Sequence, residues 1–257
     1  MVGESAASMA AGRAEFPGHR RTSTSHTIGI PHLISLLDQL PADSDLSAYS
    51  RAVIDDNLLD RPTFTGRHRT LRHLRELYVL DPRDDAFRVL RQLWDEDRQA
   101  QPQLAGLLAY ANDELLRATF PAIASARVGD LMPSEALADA ARSAVATSLN
   151  PASLARLGRN AAASWTQTGH LSGRSGKRRA AITPRPVAVA YALYLGRLAG
   201  LRGSYLLDSP WLDWFTAPET PLETAQSTAI RLGYVDLRRA GDVVEIGFAT
   251  FENGADT

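Results

Sequence analysis

Proline spacing limits what this chain can fold into more than any other feature. Pro41, Pro62, Pro82, Pro102, Pro133, Pro151, Pro184 and Pro210 fall at the edges of runs with helical apolar spacing. Proline lacks the N–H that a helix interior needs, so each one bounds a segment. Ile28 to Leu40 carries Ile30, Leu33, Ile34, Leu36 and Leu37 and predicts a short helix stopped by Pro41. Asp45 or Ser47 can cap the next, whose Leu46, Tyr49, Val53 and Ile54 lead to about Leu59. Thr63 or Thr65 can cap a third helix with Leu71, Leu74, Leu77 and Tyr78 as its apolar stripe. Further helices are predicted over Ala86–Trp94, Pro102–Phe120 and from Ser134 to about Ser148. Asn150-Pro151 opens another, with Leu154, Leu157 and Ala161 toward the core, ending near Thr168-Gly169. Val187–Leu201 and Thr220–Leu232 complete the helical set, with a short aromatic turn, PWLDWF, between them.

Two stretches break the helical pattern. HLSGRSGKRRAAITP, His170 to Pro184, reads as two short strands around a glycine turn. GYVDLRRAGDVVEIGF alternates apolar and polar residues on both sides of Ala240-Gly241-Asp242, a hairpin signal. The expected fold is therefore mainly α. Residues 1–27 are a disordered tail, 28–148 a helical bundle with a helix-turn-helix-like unit, and 149–257 a winged-helix-like domain with two short β-hairpins. Trp211, Trp214 and Phe215 read as core, and Trp165 as a core anchor beneath the first hairpin.

Charge separates the two hairpins. From Ala140 to Leu207 there is no Asp or Glu, while Arg142, Arg156, Arg159, Arg174, Lys177, Arg178, Arg179, Arg185, Arg197 and Arg202 all lie there. That window carries +10, so the rest of a chain with a formal total of -1 carries -11. A patch of one sign says more about partners than a net charge does. The second hairpin is flanked by Asp236, Asp242 and Glu245 and reads as acidic.

Several function classes find no residues to carry them. With no cysteine, disulfides, thiolate metal sites and cysteine nucleophiles are excluded, which fits a reducing cytoplasm. No apolar run reaches membrane-spanning length, and the N-terminus has no apolar core of a secretory signal. The histidines form no HxxxH or HExxH pattern, and P-loop and GxGxxG motifs are absent. Carboxylates are missing from the basic half until Asp208, so a metal-assisted nuclease is not indicated. The expectation is a non-enzymatic, cytoplasmic protein with no cofactor, no metal and no membrane partner.

Two constellations remain, and both suit phosphate. The first is the hairpin itself, with Arg174, Lys177, Arg178 and Arg179 at its tip and Arg156 and Arg159 on the preceding helix. Each cation laid on duplex DNA releases counterions. Gln167 and His170 are placed to contact phosphate or a base edge. The second runs from Arg61 to Arg75, without an acid between Asp60 and Glu76. There Thr65 and the backbone N–H groups of a helix N-terminus offer a phosphate seat, with Arg67, His68, Arg69, Arg72 and Arg75 along the helix.

The run AYSRAVIDDNLLDRPTFTGRHRTLRHLRELYVLDP, Ala48 to Pro82, resembles a segment of the BrxA family of BREX bacteriophage-exclusion systems. In that family a similar acidic-Asn-Leu stretch leads into a Ser/Thr-rich turn and an Arg-rich helix. The resemblance extends over Thr22 to Ile182, and Asn57–Tyr78 carries its distinctive part. It implies a double-stranded DNA-binding accessory protein of phage defence, working beside a methyltransferase and other defence proteins. The chain departs from the pattern in having a further helix–hairpin module after Pro184, and in having Ile34-Ser35-Leu36 where an acidic residue is expected. Two alternatives stay open. One is a protein-interaction adaptor whose basic face docks an acidic partner; the other is RNA binding, with Trp165 stacking on a base.

Overall fold

Helices begin where the sequence supplies a cap. Asp45, Thr63, Asp84, Asp113 and Asn150 sit in extended backbone, and each side chain accepts from an N–H of the first turn. Each thereby satisfies a donor that the helix itself leaves unpaired. The computed structural model describes residues 26–142, 149–215, 222–241 and 243–252. Its helices are α1 (Ile30–Leu37), α2 (Leu46–Ile54), α3 (Phe64–Tyr78), α4 (Asp85–Leu93), α5 (Gln101–Asn112), α6 (Glu114–Ser125), α7 (Ser134–Ala141), α8 (Pro151–Gln167), α9 (Pro186–Leu198), α10 (Pro210–Asp213), α11 (Leu222–Arg231) and α12 (Ala249–Glu252). Two antiparallel hairpins complete the fold: β1 (Leu171–Ser172) with β2 (Arg178–Arg179), and β3 (Asp236–Ala240) with β4 (Val243–Gly247). The molecule is mainly helical, as its punctuation predicts. The tail expected over 1–27 lies outside the described residues up to residue 25. So do 143–148 of the helix expected to reach Ser148, and Asp242 of the second turn.

Two boundaries differ from expectation for local reasons. The single helix expected over Pro102–Phe120 is two helices, because Asp113 takes extended backbone (φ -113°) and caps α6. Its carboxylate accepts from the N–H groups of Leu115 and Leu116 at 2.9 and 3.3 Å. The helix expected to reach Leu59 stops at Ile54, and beyond it Asn57 and Asp60 adopt left-handed backbone with φ of 54° and 49°.

The main core cluster draws on both halves of the chain, from Ile28 to Phe251, and a second, small cluster joins Leu115, Ala141 and Leu157. Helices α5 and α9 lie at the centre of the main cluster. Leu104 through Ala111 and Val187 through Gly196 are buried without interruption, which fits helices surrounded on all sides rather than amphipathic surface ones. α9 packs on α4 and α5, and the Tyr191 hydroxyl donates to the Ala86 carbonyl at 2.9 Å. Both clusters thus contain residues from either side of position 149, where the sequence suggests a domain boundary.

Two features position the basic region. The first is a third strand segment. Residues 129–132 run along β2: Gly129 N–H donates to Arg179 O at 2.8 Å, Arg179 N–H to Asp130 O at 2.9 Å, and Met132 N–H to Lys177 O at 2.8 Å. The chain order is thus helix α6, edge segment, helices α7 and α8, then hairpin β1–β2. The second is the crossing of α7 and α8. A Cβ on Gly158 would lie 2.1 Å from the Ser134 carbonyl oxygen, so only glycine allows the two helices to approach this closely.

Candidate nucleic-acid interface

The first hairpin is short, and its grip on the protein comes from side chains. Leu171 pairs with Arg179 and Ser172 with Arg178. Neighbouring strand residues face opposite ways, so the two arginines cannot share a surface. Arg178 points outward, and its guanidinium donates to Gly129 O at 2.8 Å. Arg179 points inward and is 3% exposed. Its guanidinium donates to the carbonyls of Ile123 (3.1 Å), His170 (3.3 Å) and Ala180. Ile123 lies in the last turn of α6, so a cation there meets the negative end of the helix dipole. Burial pulls its pKa below the usual guanidinium range. Arg179 is therefore corrected from a phosphate contact to the anchor of the hairpin.

His170 is corrected in the same way. It is fully buried, with Nε2 at 2.8 Å from Trp214 O and Nδ1 at 2.8 Å from the Thr168 hydroxyl. The rings of Trp165 and Trp214 stand edge-on to it at 4.8 and 4.3 Å. Desolvation drives its pKa down to about 3. The ring is thus neutral, donating from Nε2 and accepting at Nδ1. Trp165 is buried as expected, and its Nε1–H donates to Thr119 Oγ1 at 2.8 Å. No base can stack on it.

Gln167 is not free to read a base either. Its Oε1 accepts from Ile30 N–H at 3.0 Å, and its Nε2 donates to Thr27 Oγ1 at 3.2 Å. Ser164 Oγ accepts from Ile28 N–H at 3.1 Å. The segment 26–30 is thereby strapped to the C-terminal half of α8. The same segment is held by α3, through His73 Nε2 to Thr27 O (2.7 Å) and the Tyr78 hydroxyl to Ile28 O (2.7 Å). The two basic constellations thus flank one strap.

Among the cations of the acid-free window, several have partners from outside it. Arg142 pairs with Asp139, Arg185 with Asp97 at 2.6 Å, and Arg197 with Glu252 at 3.5 Å. Arg202 donates to the carbonyls of Arg197 and Leu201. Arg156 and Arg159 on the exposed N-terminal half of α8, and Arg174, Lys177 and Arg178 on the hairpin, have no carboxylate partner among the described residues. Lys177 donates to Gly173 O at 2.7 Å and closes the turn.

In the second constellation α3 divides by face. Arg67 is corrected: it donates to the carbonyls of Ile54 at 2.8 Å and Arg61 at 3.4 Å and closes the end of α2. Thr65, His68, Arg69, Arg72 and Arg75 are exposed, and those three arginines form no ion pair among the described residues. The cap is Thr63, whose Oγ1 accepts from Gly66 N–H at 3.0 Å. Phe64 is 65% exposed and meets the His68 ring edge-on at 4.5 Å.

Sequence reasoning missed the edge segment 129–132, which has no alternation to mark it; Gly129-Asp130 before Leu131 is its only turn signal. Among the described residues no cluster of His, Asp or Glu could hold a metal, and no helix is long and apolar enough to cross a membrane. No family model and no curated protein matches the sequence.

Proposed function

We propose that the chain is a non-enzymatic, sequence-tolerant double-stranded DNA-binding protein built around a winged-helix unit over residues 114–179. In this reading α8 is the recognition helix and β1–β2 the wing. The order of helix, edge segment, two helices and hairpin supports it, with the edge segment pairing to β2. The observation that carries it is the outward set Arg156, Arg159, Arg174, Lys177 and Arg178, facing solvent, a hydroxyl or backbone carbonyls with no carboxylate among the described residues to answer it. Phosphate oxygens would replace water and carbonyls as the acceptors. Arg69, Arg72 and Arg75 offer a second strip beyond the strap. The place of the protein in a BREX-type defence assembly rests on the resemblance of Ala48–Pro82 to the BrxA family. Buried Trp165 weighs against the RNA-stacking alternative.

Fluorescence anisotropy on a short duplex across a salt series tests this reading. If each of the five cations neutralises one phosphate, the log–log salt slope is about -4.5. The double variant R174A/R178A should weaken binding roughly tenfold on every sequence and reduce the slope by about 2. A double variant that binds with wild-type affinity and slope refutes the wing assignment.

A further inference from the structure

A second basic feature lies apart from the wing. Segment 26–29, α1, the Arg61–Thr63 turn and the first turns of α3 enclose a cleft of about 400 Å³. That size is within the range of small-ligand sites, roughly 300–1,000 Å³. Arg61, Arg69, His32 and His73 line it together with the hydroxyl-bearing Thr63 and Thr70, and no carboxylate does among the described residues. Pro62 and Leu74 supply apolar wall.

Arg61 shows what is missing. A guanidinium offers donors only, yet this one has no ion pair among the described residues. Its Nη2 instead meets His32 Nε2, so a neutral imidazole serves as the acceptor a carboxylate would otherwise be. Its Nε is buried and makes no hydrogen bond. An unmatched buried donor of a cation, beside an open cleft of the same sign, is costly unless an anion completes it. His73 spends Nε2–H on Thr27 O, leaving Nδ1 to take up a proton. A cation would be repelled here by both guanidiniums, which excludes reading the histidines as a metal site.

We propose that this cleft binds a phosphate monoester, with Arg61 and Arg69 clamping the phosphate, the Thr63 and Thr70 hydroxyls donating to it, and the remaining volume taking the organic group it is attached to. The site shares Arg69 with the second strip of the DNA-binding reading but no residue with the wing or α8, so it stands or falls apart from the wing. In the free protein, burial together with neighbouring Arg61 and His73 lowers the pKa of His32, and burial lowers that of His73. A bound dianion opposes both effects, against the remaining charges that face the site, His26, Arg61, Arg69 and Glu76. Binding of the dianion therefore favours protonation of both rings.

The test is imidazole nitrogen NMR of the full-length protein, following His32 and His73 during titration with inorganic phosphate, AMP and, as control, adenosine. Phosphate and AMP should shift both rings saturably toward the protonated form, and adenosine should not. Arg69 is exposed, so R69Q should fold normally and weaken AMP binding roughly tenfold, as expected for loss of one charge-assisted contact. R174A/R178A should leave the shifts unchanged even if it abolishes DNA binding. A 5′-phosphorylated trinucleotide separates the sources. Affinity well above AMP marks a strand end as the ligand, and affinity at or below AMP marks a free nucleotide. Rings that do not respond to millimolar phosphate or AMP, or that respond equally in R69Q, overturn the proposal.

Discussion

The two hairpins are held in opposite ways. β1–β2 has only two residue pairs, and what fixes it lies elsewhere in the chain: the edge segment 129–132, the Arg179 guanidinium on the end of α6, and His170 between two tryptophans. β3–β4 pairs five residues in register from Asp236–Gly247 to Ala240–Val243, yet only Ile246 of its ten residues is buried. Its charges are mixed as well, since Arg238 stands opposite Glu245 and Asp236 lies on the same strand. The expectation of an acidic second hairpin is thus offset by Arg238 and Arg239. The long ladder rests on the core through Ile246, Leu237 and Val244 and leaves its charges at the surface, whereas the short one is positioned by polar residues that give up their exposure. The anchored hairpin is the one whose outward cations keep a defined place.

The largest effect should come from breaking that anchor. Arg179→Met removes the donors to three carbonyls in a buried site and should cost on the order of 3 kcal/mol in urea unfolding. Arg238→Met, on the exposed ladder, should stay within about 0.5 kcal/mol. Equal losses at the two positions would remove the distinction between the hairpins.

Acid should separate them next. His170 has its pKa lowered from 6.5 to about 3 by folding. The unfolded chain then binds a proton that the native state does not, so stability is fully present above pH 6.5. It falls as pH drops from 6.5 toward 3. Asp113 acts with the opposite sign: burial raises its carboxyl from 3.8 to about 6, so protonation between those values favours the native state. The His170 window is the wider, and a net loss of about 2 kcal/mol is expected over it. His170→Asn, which does not titrate, should flatten the acid limb of a denaturation series. If the limb keeps its slope, the buried ring is not what ties the first hairpin to the core in acid.

Much of this was legible locally. Asp45, Thr63 and Asn150 act as caps as their positions suggest, and the alternation around Ala240-Gly241 predicts the second hairpin. Even the burial of Arg179 has a local signal, because two consecutive arginines on a strand must face opposite ways. What could not be read is which way, since that is decided by Ile123 O, 56 residues away. Gln167 looked like a base reader because its partner Ile30 is 137 residues distant. The acid-free window overstated the free charge for the same reason, as Asp97 and Glu252 reach in from outside it to Arg185 and Arg197. The cleft at Arg61 was hidden because His32 and His73 come from two segments 41 residues apart.

The smallest expected effect is the sharpest control. R238A/R239A removes as many cations from β3–β4 as R174A/R178A removes from β1–β2, so the change in net charge is identical. If DNA affinity followed net charge alone, the two double variants would weaken binding equally at a given salt concentration. Placement predicts otherwise. The Arg238 charge is already answered in register by Glu245, and α11, the helix before this ladder, carries Arg231 and Glu223 where α8 carries Arg156 and Arg159 without an acid. R238A/R239A should therefore change affinity less than about twofold and leave the salt slope within experimental error, because no phosphate contact is lost. A slope reduced by about 2 in this variant would mean that both ribbons lie on the duplex. The difference in how the hairpins are anchored would then concern folding alone.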